Sequence, residues 1–98
     1  MEFIDSHLHL ADAAFDADRD AVIERARLTG AAALVCIGES LDAARRSREL
    51  AQRFPGICFH TAGVHPHDAA GFERARDVDA IRAEVALGAV AIGECGLD

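Results

Sequence analysis

Four short apolar runs alternate with amphipathic stretches along the chain, and this alternation limits its possible folds more than any other feature. The apolar runs predict strands over residues 3–10, 32–38, 57–62 and 89–94. The second run is almost continuously apolar, which is typical of a parallel strand covered on both faces. Strands that alternate with helices form parallel sheets with right-handed crossovers, so we expect an α/β fold.

Three intervening helices are predicted from their caps and stop signals. The first covers residues 18–28 and has Gly30 just past its end. Ser40 is a good N-cap for a second helix over about residues 41–54. Asp77 is expected to cap the third helix, in which apolar residues recur at helical spacing.

Four strand units in 98 residues are about half of a (β/α)8 barrel, which typically needs about 250 residues. The fourth strand lies almost at the last residue and has no covering helix after it. We therefore interpret residues 1–98 as the N-terminal half of a TIM-type (β/α)8 barrel, four parallel strands with three helices, taken from a longer protein. A half-barrel that self-associates through its open strand edges is the alternative.

The charge of the chain restricts its chemistry. Ten basic against 17 acidic residues give a net charge of −7, the wrong sign for a basic groove that holds nucleic acid. All ten basic residues are Arg, which excludes a lysine Schiff base and a phosphate-loop lysine within the chain. A phosphate substrate would need a metal ion or a few local Arg residues to offset this field.

The cysteines and the hydropathy pattern suggest a cytoplasmic protein. Three widely spaced cysteines without a CxxC pair favour a reducing compartment. The sequence has no basic and apolar leader, and no run approaches the roughly 20 apolar residues of a membrane span.

The first candidate site lies at the end of the first strand, in the run DSHLHL. Residues two apart on a strand point to the same face, so His7 and His9 are expected to project together as half of a divalent-metal site. Asp5 shares their parity and could orient an imidazole from behind. Two polar residues that face water at a strand end are the alternative.

Two further motifs follow the third and fourth strands. His65 and His67 flank Pro66 in GVHPHD, at the end of the sheet where parallel α/β folds bind ligands. Glu94 ends an apolar run, where a carboxylate is costly to bury unless it is paired or bound to a metal. A solvated loop and an acid that meets water are the corresponding alternatives.

Taken together, DSHLHL, GVHPHD and AIGECGLD in this order resemble the TatD family of metal-dependent hydrolases, within the amidohydrolase-like barrels. The resemblance covers the whole chain. It implies a TIM-barrel deoxyribonuclease that cleaves phosphodiester bonds in DNA with a metal-activated water. It also implies divalent metal ions, two of them, as Mg²⁺, Mn²⁺ or Zn²⁺.

The resemblance also implies roles for individual residues. His7 and His9 match metal ligands, and Glu94 matches a catalytic carboxylate that can bridge two metals. His65 and His67 match a pair that lines the substrate pocket. The family's other ligands, two His and an Asp, come from later strands, so we expect the chain alone to be inactive. Other hydrolases with an HxH motif, such as phosphoesterases and lactone or amide hydrolases, remain the alternative activity.

Overall fold

Four parallel strands form one curved sheet in the computed structural model, which describes residues 1–97; Asp98 lies outside the described residues. The strands run in the order β1-β2-β3-β4. Their bounds are β1 Phe3–Leu8, β2 Ala31–Cys36, β3 Cys58–Ala62 and β4 Ala91–Ile92. All three neighbouring pairs are parallel, and this confirms the predicted half-barrel arrangement with helices between the strands.

The fourth strand is much shorter than the sequence indicates. Residues 89–94 are expected to be extended, but only Ala91 and Ile92 pair with β3, opposite Thr61 and Ala62. Both residues of β4 are exposed. Ladder hydrogen bonds define a strand, and within residues 1–97 β4 has a partner on one side only, so apolar character alone overestimates its length.

The helices follow the strands as predicted, with α1 at Arg19–Leu28, α2 at Leu41–Arg53 and α3 at Arg74–Ala86. The Ser40 side chain accepts a hydrogen bond from the Ala43 N–H at 3.1 Å and so caps α2. None of the helices within residues 1–97 is long and apolar enough to cross a bilayer.

The predicted cap of the third helix is wrong. Helix α3 begins at Arg74 with Glu73 as its N-cap, so Asp77 lies inside the helix. The Asp77 carboxylate instead reaches back and accepts a hydrogen bond from the Glu73 N–H at 2.8 Å. An acid in the first turn can satisfy a free amide at the helix start as well as a cap residue can, which explains the error in position.

The hydrophobic core lies between the sheet and the first two helices. Its least exposed members are Ile23 on α1, Leu34 and Cys36 on β2, Leu50 on α2 and Cys58 on β3. Small residues let α2 and β3 approach closely: a Cβ atom on Gly38 would lie 2.8 Å from the Cβ of Ala44 on α2 and 2.2 Å from the Thr61 carbonyl oxygen on β3. This close packing sets the positions of the strand ends that carry the candidate site.

A buried charged cluster connects β3 with α2 and α3. The Glu84 carboxylate on α3 lies 2.7 Å from Arg48 Nε and 3.6 Å from His60 Nε2. Both Glu84 and His60 are buried. Burial lowers the pKa of His60, the Glu84 carboxylate partly offsets this, and the Arg48 charge adds to the lowering.

We expect the stability of the protein to fall in acid partly through His60. The unfolded chain protonates this residue near its ordinary pKa of about 6.5, whereas the pKa in the folded chain is lower. The stabilisation is therefore full above that pH and is lost as the pH falls toward the folded-state pKa. Urea unfolding at pH 7, 6 and 5 should show a smaller loss for His60→Asn than for the wild type.

The control is Gln52→Ala, which removes an exposed side chain that carries no titrating group. Its unfolding free energies should follow the wild-type pH dependence. Parallel curves for His60→Asn and the wild type would contradict the assignment.

Candidate metal centre

Three of the residues singled out in the sequence meet at the carboxyl ends of the strands. His7 lies near the end of β1, His9 follows that strand, and Glu94 follows β4. One ligand atom from each of the three side chains lies within 4.8 Å of the others. Residues from the two outer strands of the described sheet therefore reach one point on its rim.

Strand alternation does not by itself explain how the two histidines come together. The pairing of β1 with β2 is irregular between Asp5 and Leu8, and His9 lies beyond the strand. The rings of His7 and His9 nevertheless meet edge to face, with centroids 5.2 Å apart. The irregular pairing of β1 with β2 and the turn after β1 thus bring the two rings into contact.

Asp5 contacts the backbone in this structure. Its Oδ1 atom accepts a hydrogen bond from the main-chain N–H of His7 at 3.1 Å. This bond fixes the main chain of β1 at His7. The predicted role of Asp5 in orienting an imidazole stays a prediction.

Glu94 lies between two imidazoles. Its Oε2 atom is 3.8 Å from His7 Nε2, and its Oε1 atom is 3.7 Å from His65 Nε2. The carboxylate is only partly exposed, with 29% of the side-chain surface open to solvent. One oxygen thus faces the candidate metal ligands and the other faces the loop after β3.

His65 and His67 lie together at the start of a short 3-10 helix, Pro66–Gly71. The His65 Nδ1 atom accepts a hydrogen bond from the main-chain N–H of His67 at 3.0 Å, and the two ring centroids are 4.6 Å apart. An accepting Nδ1 places the proton of a neutral imidazole on Nε2. His65 therefore presents an N–H group to Glu94 and is suited to donate a hydrogen bond, whereas His67 is the more exposed of the two.

The structure adds Glu39, which the sequence reasoning missed. Its Oε2 atom lies 3.5 Å from His9 Nδ1, and its carbonyl oxygen accepts a hydrogen bond from the His65 N–H at 2.7 Å. A signal was present in the sequence, because a Gly-Glu pair, Gly38-Glu39, follows β2 closely, as Gly93-Glu94 follows β4.

Thr61 is a second missed residue, and it ties the two Gly-Glu turns together. Its buried hydroxyl accepts a hydrogen bond from the Gly38 N–H at 3.0 Å and donates one to the Gly93 carbonyl at 2.7 Å. Each of these glycines directly precedes one of the acidic residues of the site. A single side chain of β3 therefore sets the spacing between the ends of β2 and β4.

Gly63 allows the Glu94 segment to pack against β3. A Cβ atom at this position would lie 2.3 Å from the Glu94 carbonyl oxygen and 2.9 Å from the Gly93 carbonyl carbon. Contacts this short do not occur with real side chains. The glycine that begins the GVHPHD motif thus makes room for the acid of the following motif.

The chemistry of the three converging donors suits a divalent ion, and one donor atom from each side chain lies within 4.8 Å of the others. Two imidazoles and a carboxylate suit zinc and other divalent transition metals. The number of ions and their identity stay predictions.

Comparison with known proteins identifies the family. The family model described as "TatD related DNase" matches residues 4–98. The chain belongs to the TatD-related DNase family. It is similar to proteins named "3'-5' ssDNA/RNA exonuclease TatD", with 40% identity over 94 residues to the one from Musicola paradisiaca and 44% over 96 residues to the one from Cronobacter turicensis. The resemblance read from the three motifs is confirmed.

The chain spans about a third of these relatives. The two matches cover 96% of the chain but only 36% and 35% of the relatives' own length. The matched third of these relatives corresponds to the residues that carry the His7, His9 and Glu94 cluster in this chain.

We expect Thr61→Val to destabilise this TatD-family chain. The substitution keeps the shape of the side chain but leaves the Gly38 N–H without its acceptor, at a cost of about 1–3 kcal/mol. Thr29→Val is the matched control, because the Thr29 hydroxyl bonds on an exposed helix end, and it should cost less than about 0.5 kcal/mol. Urea unfolding measures both values, and equal losses for the two variants would contradict the role of Thr61.

Proposed function

We propose that this chain supplies part of a divalent-metal centre in a hydrolase that cleaves phosphodiester bonds of DNA. The observation that carries the proposal is the convergence of His7, His9 and Glu94 within 4.8 Å at the rim of the sheet. Membership of the TatD-related DNase family supports a nuclease over the other hydrolases with an HxH motif.

In this proposal, the two histidines and Glu94 have different roles toward the metal ions. When bound, divalent ions act as Lewis acids that activate water and offset the charge of a phosphate. His7 and His9 offer neutral nitrogen donors, and Glu94 contributes the negative charge that would keep two cations close together. This division suits a protein with a net charge of −7, which has no basic surplus for holding a nucleic acid.

His65 is proposed to contact the substrate as a hydrogen-bond donor. Its Nδ1 atom is occupied by the His67 N–H, so its Nε2–H points toward Glu94 at 3.7 Å. When Glu94 binds a cation, the same N–H can turn to a phosphate oxygen. His67 is more exposed and is proposed to line the outer part of the same pocket.

The proposed substrate is a DNA strand with an accessible end. The relatives from Musicola and Cronobacter carry a name that specifies exonuclease action on single-stranded DNA and RNA. We extend the single-stranded preference to this protein. The comparison is the rate of hydrolysis of an RNA strand of the same sequence. Faster hydrolysis of the RNA than of the DNA would change the proposed substrate to RNA.

Replacing Glu94 with Gln should strongly reduce hydrolysis by the protein that carries this chain. The amide keeps the shape but loses the charge, and removal of one transition-state interaction of this kind costs about 10²–10³ in rate. The assay measures nucleotide release from single-stranded DNA with Mg²⁺, Mn²⁺ or Zn²⁺, before and after EDTA.

The matched control for this assay is Glu49→Gln. Glu49 lies on α2, is exposed and pairs with Arg45, far along the helix from the rim, so its substitution should leave the rate unchanged. Full activity of Glu94→Gln, or hydrolysis that EDTA does not inhibit, would contradict the proposal. Residues 1–98 alone should show no metal-dependent hydrolysis above background.

Self-association is the second candidate role, and one observation favours it. Strands β1 and β4 are the edges of the described sheet, and Ile4 and Ile92 on them are 65% and 52% exposed. Exposed apolar edges favour pairing with another chain. Light scattering on residues 1–98 should give a mass above that of the monomer, and a monomer at all concentrations would exclude this role.

A further inference from the structure

We infer that Glu39 is a positioning residue of the metal centre: it holds the His9 imidazole by Nδ1 so that Nε2 is presented to the ion. The inference rests on the proposed metal centre. It assigns a function to a carboxylate that the sequence motifs of the family resemblance do not include.

The contact between the two side chains is the first support. Glu39 Oε2 lies 3.5 Å from His9 Nδ1. Among the residues that the structure describes, this oxygen is buried and has no hydrogen-bond donor within bonding geometry. A buried carboxylate oxygen without a donor is costly, and the imidazole N–H is the polar group beside it.

The rigidity of the Glu39 backbone is the second support. The Glu39 carbonyl accepts a hydrogen bond from the His65 N–H at 2.7 Å, and the preceding Gly38 N–H is bound to Thr61. A residue held on both sides can fix a flexible partner. His9 needs such a partner, because it lies beyond the end of β1 and 42% of its side chain is exposed.

The chemistry of imidazole ligands is the third support. A neutral imidazole that donates its Nδ1–H to a carboxylate has a free electron pair on Nε2, and the negative charge makes that nitrogen a better donor to a metal. Loss of such a partner typically weakens metal affinity about 10- to 100-fold.

The arrangement separates the roles of two acidic residues. Asp5 is the carboxylate that the sequence predicts to orient an imidazole, but it accepts a hydrogen bond from the main-chain N–H of His7. Glu39, which follows β2, is the acid next to an imidazole nitrogen of His9. Asp5 thus fixes the main chain of β1 at His7, and Glu39 fixes the imidazole ring of His9.

The test is the affinity for Zn²⁺, measured by competition with a chelating dye in the protein that carries this chain. Glu39→Ala should bind zinc about 10- to 100-fold more weakly than the wild type. Glu39→Gln keeps an oxygen that can accept from Nδ1 and should fall between the two. Glu49→Gln, an exposed acid on α2, should match the wild type.

A double-mutant cycle separates positioning from a general effect on the fold. If Glu39 acts through His9, the Glu39→Ala substitution should cost nothing further in a His9→Ala background. A purely structural role would give the same loss in both backgrounds, and that result would overturn the inference. Unfolding of the metal-free proteins should show that Glu39→Gln is folded, so the cycle can also be run with that variant.

The outcomes distinguish the inference from the proposed function. Wild-type zinc affinity in Glu39→Ala, together with lost affinity in His9→Ala, would overturn the role of Glu39 and leave the metal centre intact. Absence of zinc binding in the wild type would overturn the metal centre and this inference together. A loss in Glu39→Ala that vanishes without His9 would support both.

Discussion

The hydroxyl of Thr61 is the interaction on which the geometry of the site depends. It accepts from the Gly38 N–H and donates to the Gly93 carbonyl, so one buried group joins the ends of β2 and β4 across β3. Each glycine precedes an acid that faces an imidazole. Both bonds are to the main chain, so they fix the backbone next to Glu39 and Glu94. Contacts of the two carboxylates with the imidazoles then set only the side-chain torsion angles of these acids.

The acids and imidazoles at the rim form an alternating set. Glu39 faces His9, and Glu94 faces His7 with one oxygen and His65 with the other. An imidazole N–H beside a carboxylate lowers the cost of placing that acid at a partly buried site. The same set of side chains includes the three donors that we propose hold a divalent ion.

Much of the fold could be predicted from the sequence, because local signals determine it. The apolar runs gave the order of the elements, and Ser40 capped α2 as expected, since capping depends on a few neighbouring residues. Asp77 was misplaced because an acid in a first turn satisfies the same amides as a cap. The length of β4 depends on its neighbours in the sheet, which its own residues do not specify.

The candidate site was predictable only in part. His7, His9 and Glu94 carry a pattern of residue types and strand positions, and the structure brings them together. Thr61 carries no such pattern, because a threonine is an ordinary strand residue and its importance comes from two neighbouring strands.

The strand order has a consequence for how the site forms during folding. His7 is on the first strand and Glu94 follows the last described one, and the two are linked through the pairings of β1 with β2, β2 with β3 and β3 with β4. Bringing distant parts of a chain together costs loop-closure entropy, which makes such pairings slow. Because His7 and Glu94 meet only when all three strand pairings are in place, their contact marks complete assembly of the sheet. Substitutions far from the rim that slow any one strand pairing would delay the appearance of the site without touching its residues.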